Sequence, residues 1–179
     1  MKLSFFIQGA IADTDNSDLY VEISTQGLSY IILDRGICVA LVIYHFEAGT
    51  SDDDAAGHIH QVIKDQPVMS QKFRSTHIIY SYAPAVLVPQ AFINNMDNNA
   101  ILELVYGDDS ERVTKTDFLY RYAIQNVYGV PSVVEVVMTR YFGFAEFSHI
   151  FSLLPDVVKE QGNLLYCIFS TGHLKAMLV

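Results

Sequence analysis

The sequence predicts an α/β domain built on a mixed sheet with helices packed against it. Three observations carry that expectation. The chain has 179 residues, 51% hydrophobic and only 17% charged, which is the composition of a chain that buries a sizeable core. Residues 19–46 read as three strands joined by two tight turns, an antiparallel meander. After the meander, stretches of helical and strand period alternate, the order expected of helices laid on a sheet.

The N-terminus reads MKLSFFIQGAIAD. Lys2, an apolar run over 3–7 and the small residues Ala10 and Ala12 faintly resemble a secretion leader. Gln8 and Gly9 cut the run short, so a leading strand or tail is the preferred reading. Residues 13–18 are a polar linker. Leu19, Val21 and Ile23 then alternate with Tyr20, Glu22 and Ser24, the period of a half-buried strand. Thr25, Gln26 and Gly27 form a turn in which Gly27 can take positive φ. Residues 28–33 are the second strand, 34–36 the second turn, and 37–46 a third strand so continuously apolar that it should be buried on both faces.

A loop over 47–53 leads to a helix over 54–64, with Ala55, Ile59, Val62 and Ile63 on its inner stripe and Asp52 or Asp53 as N-cap. Residues 76–82 and 85–88 are short strands separated by Pro84. Residues 90–104 have helical character, interrupted near Asn98 or Asn99, and 105–116 read as a polar loop. Residues 115–130 read as one strand running into Pro131, which suits the first turn of a helix over 132–141. That helix should turn Val133, Val134, Val136, Val137 and Met138 inward. A strand over 146–152 and a helix over 153–161, with Pro155 in its first turn and Gly162 as its stop, complete the series.

The chain closes on a repeat. Residues 19–33 read LYVEISTQGLSYIIL and residues 165–179 read LYCIFSTGHLKAMLV, at a constant offset of 146. Five positions are identical, Ser24/Ser170 and Thr25/Thr171 among them. A strand, a Ser-Thr turn and a strand therefore occur twice. Turns of this kind between strands can present backbone N–H groups to phosphate.

In element order and in this duplicated hairpin, the sequence resembles the actin, sugar-kinase and chaperone ATPases, whose fold is ribonuclease H-like. Four stretches, YVEISTQGLS from Tyr20, VLVPQAF from Val86, NVYGVP from Asn126 and the terminal hairpin, resemble more closely an uncharacterised bacterial family, a domain of unknown function with an actin-like ATPase fold. The actin-like components of type IV pilus and type II secretion machines are similar at greater distance. The resemblance implies a first subdomain over 1–162 and, over 163–179, the opening hairpin of a second one cut short, so that the chain is expected to be a fragment.

The same resemblance implies, in active members, an Asp in the first strand of each hairpin that holds magnesium or its water, and Gly-rich turns beneath the phosphates. Glu22 falls where the first Asp belongs. Its counterpart in the second copy is Ile168, and residues 163–179 hold no Asp or Glu and one glycine, Gly172. A magnesium–triphosphate site needs hard oxygen ligands and close backbone approach; Ile168 denies the first and Phe169 crowds the second. Glu22 reads more simply as a solvent-facing residue between buried Val21 and Ile23, and Ser24 and Thr25 as turn residues serving local backbone groups. The expected function is a non-catalytic pseudo-ATPase domain, without cofactor, acting as a scaffold toward an unknown protein partner or its own copies. The alternative is a divergent ATPase that binds ATP with magnesium. Glu22 then replaces the metal-holding Asp, and Ser24, Thr25, Ser170, Thr171 and Gly172 surround phosphate. A small ligand-binding α/β module is a third reading.

Several classes are disfavoured. The net charge of −9 gives no footprint for nucleic acid and disfavours anionic membrane surfaces. No apolar run approaches the roughly 18 residues of a membrane helix. Cys38 and Cys167 lie in apolar runs and read as buried free thiols of a reducing, cytoplasmic compartment. His58 and His60 point to different faces of their helix, and Asp52, Asp53 and Asp54 read as a capping, solvated loop. No Gly-x-Ser-x-Gly elbow and no Gly-x-x-x-x-Gly-Lys loop occurs.

Overall fold

Alternation builds the first strands of the computed structural model, which describes residues 1–9, 11, 13–93, 97–157, 165–170 and 173–178, the last two segments and residues 156–157 by their backbone. In β2 (Ser17–Ser24), Leu19, Val21 and Ile23 are fully buried, while Tyr20, Glu22 and Ser24 fall on the other face. β3 (Gly27–Asp34) buries Leu28, Tyr30 and Ile32, and β4 (Ile37–His45) buries Ala40, Val42 and Tyr44. β4 is therefore not buried on both faces as its apolar run suggested. Val39, Leu41 and Ile43 on its other face are only half-buried, and its first residues, Ile37 and the free thiol Cys38, are exposed. The turn ahead of them uses left-handed backbone at Arg35 (φ 50°) and Gly36 (φ 81°), the pair that two-residue hairpin loops favour.

These strands centre a six-stranded sheet of order β1-β4-β3-β2-β5-β9, completed by β1 (Lys2–Gln8), β5 (Ser75–Tyr80) and β9 (Glu146–His149). The β2–β5 and β5–β9 pairs are parallel and the rest antiparallel. The N-terminal stretch is thus a strand paired to the outside of β4.

α1 (Asp52–Asp65) buries Ala55, Ala56, Ile59, Val62 and Ile63, a stripe at helical period. Its cap is Ser51, one residue before the aspartates expected in that role. The Ser51 hydroxyl accepts the Asp54 N–H at 3.1 Å, and the three aspartates occupy the first turn, where the helix dipole favours them. α1 packs beside α4 (Ser132–Tyr141), which buries Val134 and Met138. Val136, expected to face inward, is exposed because it lies across the helix from that stripe. Both helices join the inner faces of β2–β5 in one core, where each fully buried aliphatic side chain contributes about 1.5–3 kcal/mol. At the far end of α1, Gln66 accepts from the Tyr30 hydroxyl at 3.3 Å and donates to that of Tyr44 at 3.0 Å. Burial, then neighbouring Tyr44, raises the Tyr30 pKa to about 12.

The middle of the chain departs most from expectation. The helical stretch after β6 (Ala85–Pro89) is two helices, α2 (Gln90–Ile93) and α3 (Asn98–Tyr106), the second capped by Asp97. Residues expected to be a loop extend α3 to Tyr106 and begin β7 at Arg112. The single strand expected over 115–130 is a hairpin of β7 (Arg112–Leu119) and β8 (Ile124–Pro131), folded at a 3-10 turn where Ala123 takes φ 50°. β6, β8 and β7 form a separate antiparallel sheet with a small core of Val88, Ile101, Leu102 and Val127. β9 ends at His149, three residues sooner than expected. α5 (Ile150–Val157) starts there and holds Pro155 in its interior; the expected stop at Gly162 lies outside the described residues. β10 (Leu165–Ser170) and β11 (His173–Leu178) form their own two-stranded sheet.

β2, β4, β5 and β9 run in one direction. Their carboxyl ends make one rim of the sheet, the rim at which α/β sheets bind ligands. The turn between β2 and β3 and the start of α1 both lie on it.

Candidate functional site

The residues singled out in the first hairpin come together at this rim. Glu22 is exposed, opposite Ser29 of β3 and Ile79 of β5. Ser24 closes the strand opposite Gly27, so the loop is two residues, Thr25 and Gln26. Both backbone polar groups of Gln26 are engaged. The Ser24 hydroxyl accepts the Gln26 N–H at 3.2 Å, and the Gln26 carbonyl accepts the Phe46 N–H at 2.8 Å.

Gly27 has a different task from the one expected. Its φ is not positive. A Cβ placed there would lie 2.0 Å from the Tyr44 carbonyl oxygen and 3.0 Å from its carbon. Glycine is needed so that β4 can pass close behind β3, which is an internal packing demand. The start of α1 adds Asp52, Asp53 and Asp54 to the same rim, a local potential unfavourable to phosphate.

Ser170 ends β10 opposite His173. Thr171 and Gly172 lie outside the described residues. The sequence repeat is nonetheless a structural one. Leu19 pairs Ile32 and Ser24 pairs Gly27 in the first hairpin, and Leu165 pairs Leu178 and Ser170 pairs His173 in the second. Every partner is displaced by the same offset of 146.

A second polar cluster, absent from the sequence reading, sits at the carboxyl end of β9. Asp117 of β7 accepts from the Tyr128 hydroxyl at 3.1 Å, the His149 N–H at 2.7 Å and the Ser152 hydroxyl at 2.5 Å. Asn126 donates to Ser152 at 2.9 Å. His149 is fully buried; its Nε2–H donates to the Tyr82 carbonyl at 3.0 Å, and its Nδ1 accepts the Phe151 N–H at 3.2 Å. Burial foremost, then the Asp117 carboxylate, pushes the Tyr128 hydroxyl pKa up. A cavity of about 520 Å³ opens on this cluster beside Tyr120, Tyr122 and Ser148. The cluster clamps the β7–β8 hairpin to the start of α5. Its members come from three separate strands and a helix, and no spacing in the sequence signals it.

At the opposite rim, Asp18 accepts from Arg74 Nε at 2.9 Å and Ser75 Oγ at 2.7 Å. The Arg74 hydrogen bond first, then that of Ser75, holds the Asp18 carboxyl below its ordinary range. Each of the two helix histidines meets an aromatic side chain. His58 lies against Phe46, and His60 Nδ1 meets the Tyr141 hydroxyl at 2.7 Å. Among the described residues no group of three or more His, Cys, Asp or Glu could hold a metal ion, and no helix is long and apolar enough to cross a membrane.

A family model described as "Protein of unknown function (DUF3822)" matches residues 8–179. The fold matches that of a crystallised Bacteroides thetaiotaomicron protein with actin-like ATPase fold and unknown function, at a TM-score of 0.80 and 12% identity, over 96% of this chain and 69% of that one. At that identity the likeness establishes the actin-like ATPase fold and nothing further. No curated protein matches the chain.

Proposed function

The chain belongs to the family of proteins of unknown function matched over residues 8–179, and from that premise we propose that it is a non-catalytic actin-like domain acting as an assembly or protein-interaction scaffold. One observation carries this reading. The turn that would have to cradle phosphate closes on itself, with the Gln26 N–H held by Ser24 and Gly27 committed to the Tyr44 carbonyl. A phosphate nest needs free, convergent N–H groups and left-handed backbone, and the turn residues Thr25 and Gln26 have no positive φ.

On this reading the domain is a pseudo-ATPase of a bacterial cytoplasm, akin in role to the actin-like components of pilus and secretion machines. Residues 1–162 are its first subdomain and 163–179 open a second. Its partner is another protein or its own copies, and the net charge of −9 argues against nucleic acid. The rival reading, a divergent ATPase, draws on Glu22, exposed beside a turn with two hydroxyls. Titration calorimetry with ATP and magnesium separates the two. The scaffold reading expects no binding heat; saturable binding that Glu22→Ala abolishes would sink it.

A further inference from the structure

The six-stranded sheet ends in two unlike edges. β9 is four residues long, carries Glu146 and ends in buried His149, a short, charged edge of the kind that resists further pairing. β1 is seven residues long and exposed along its whole length. It carries no charge between Lys2 and Gln8, and its apolar residues project on both faces. Leu3 is 48% exposed, Phe5 43%, Phe6 52% and Ile7 56%. A solvated edge strand is expected to alternate polar and apolar residues; this one does not.

We infer that β1 is a self-association edge that pairs antiparallel with β1 of a second copy, joining two six-stranded sheets into one. The inference deepens the scaffold reading, on whose self-association arm it rests, by naming the surface and the partner. The geometry selects the register. The pairing with β4 has one irregularity, at Ser4 between Leu3 and Phe5, and is regular from Phe5 to Gln8. Gly9 donates its N–H to Val39 at 2.8 Å. Alternation along the strand then turns the N–H and C=O of Ile7 toward β4 and those of Phe6 and Gln8 outward. A two-fold axis normal to the sheet, passing beside Phe6, makes Phe6 opposite Phe6 a hydrogen-bonded pair. It also sets Phe5 opposite Ile7 twice on the other face. Every rung near the axis is apolar against apolar, a match that a strand of unrelated sequence has no reason to provide.

Two magnitudes define the behaviour. The exposed parts of the four apolar side chains amount to roughly 400 Å² per copy, or about 800 Å² for the pair, below the about 1,200–2,000 Å² of stable interfaces. Association is therefore weak and set by local concentration, as suits a unit held within an assembly. Each copy carries −9, so the two repel, and salt screens that repulsion. Self-association should strengthen as salt rises, whereas attraction to a basic partner would weaken.

The test is sedimentation velocity of the intact chain across concentration, at low and at high salt. The expected result is a monomer–dimer equilibrium favoured by salt, with a dissociation constant that Phe6→Lys raises at least tenfold while the thermal midpoint is unchanged. Register is checked by oxidation. In a chain whose two native cysteines are replaced by alanine, Phe6→Cys should crosslink two copies, since hydrogen-bonded pairs stand about 5.5 Å apart at Cα, within disulfide reach. Ile7→Cys, paired with Phe5, should not. A chain monomeric at every concentration and salt, a dimer indifferent to Phe6→Lys, or crosslinking at Ile7 as efficient as at Phe6 each overturns the inference. Failure here leaves the calorimetric result intact, and nucleotide binding there leaves this edge intact, so the two readings fail separately.

Discussion

Replacing Gly27 by alanine separates a packing glycine from a ligand-binding one. The new methyl carbon falls 2.0 Å from the Tyr44 carbonyl oxygen, more than an ångström inside ordinary contact. The obstacle is backbone, so no rotamer relieves it. β4 must move off β3, and with it the Phe46 N–H to Gln26 carbonyl bond of 2.8 Å. Overpacking of this kind costs about 1–3 kcal/mol, and a strained backbone hydrogen bond adds about 1 kcal/mol. Gly27→Ala should therefore destabilise the chain by roughly 2–4 kcal/mol, a large part of the 5–15 kcal/mol typical of a domain. Urea unfolding at equilibrium measures it as a lower midpoint at unchanged slope.

Gly36→Ala is the internal control. Gly36 has φ 81° and nothing within 4 Å of its added carbon, so it reports conformational strain without collision, about 1–2 kcal/mol. The steric reasoning is refuted if Gly27→Ala proves as mild as Gly36→Ala. A Gly27→Ala chain that keeps full stability but loses nucleotide binding would return the glycine to a phosphate-binding role.

Three further outcomes follow from the polar clusters and the thiol. Asp117→Ala leaves the Tyr128 hydroxyl and the His149 N–H without their acceptor and should cost about 3 kcal/mol in urea unfolding, against about 1 kcal/mol for Tyr128→Phe. The Asp18 carboxyl is held below its unfolded value of about 3.9, so it stabilises the fold above that pH and the contribution fades as pH falls through the folded value. The urea midpoint of Asp18→Asn should accordingly change less between pH 5 and pH 3 than that of the parent. Cys38 is exposed, and mass spectrometry should show it alkylated by iodoacetamide in the native protein, a modification that Cys38→Ala removes.

What the sequence disclosed was local and periodic. The meander was legible because Leu19, Val21 and Ile23 alternate with polar neighbours, and α1 because its apolar stripe repeats at helical spacing. The β7–β8 hairpin was not, since its bend rests on Ala123 in left-handed backbone, and alanine carries no turn signal. Cys38 was misread because apolar composition does not tell which face of a sheet receives the helices. At the candidate site, Glu22, Ser24 and Thr25 could be located in advance because they form one contiguous segment. The Asp117 cluster could not, nor could the group in which Glu135 of α4 accepts from both Lys115 of β7 and Tyr80 of β5. Such clusters are made by tertiary pairing, which leaves no trace in spacing.

The strands around the first hairpin explain why glycine stands at position 27. Both hairpins pair at the same register, Ser24 opposite Gly27 and Ser170 opposite His173. Were glycine after the loop required by a ligand shared between the copies, both copies should keep it. The second has histidine. In the first hairpin the demand comes from the neighbouring strand: β3 has β4 paired beside it, with the Tyr44 carbonyl where a side chain would be. What the copies do share, a serine at the end of the first strand, is a residue whose hydroxyl in the first hairpin serves the turn itself. In the first hairpin the glycine is thus accounted for by packing against β4, and the serine by the turn it closes.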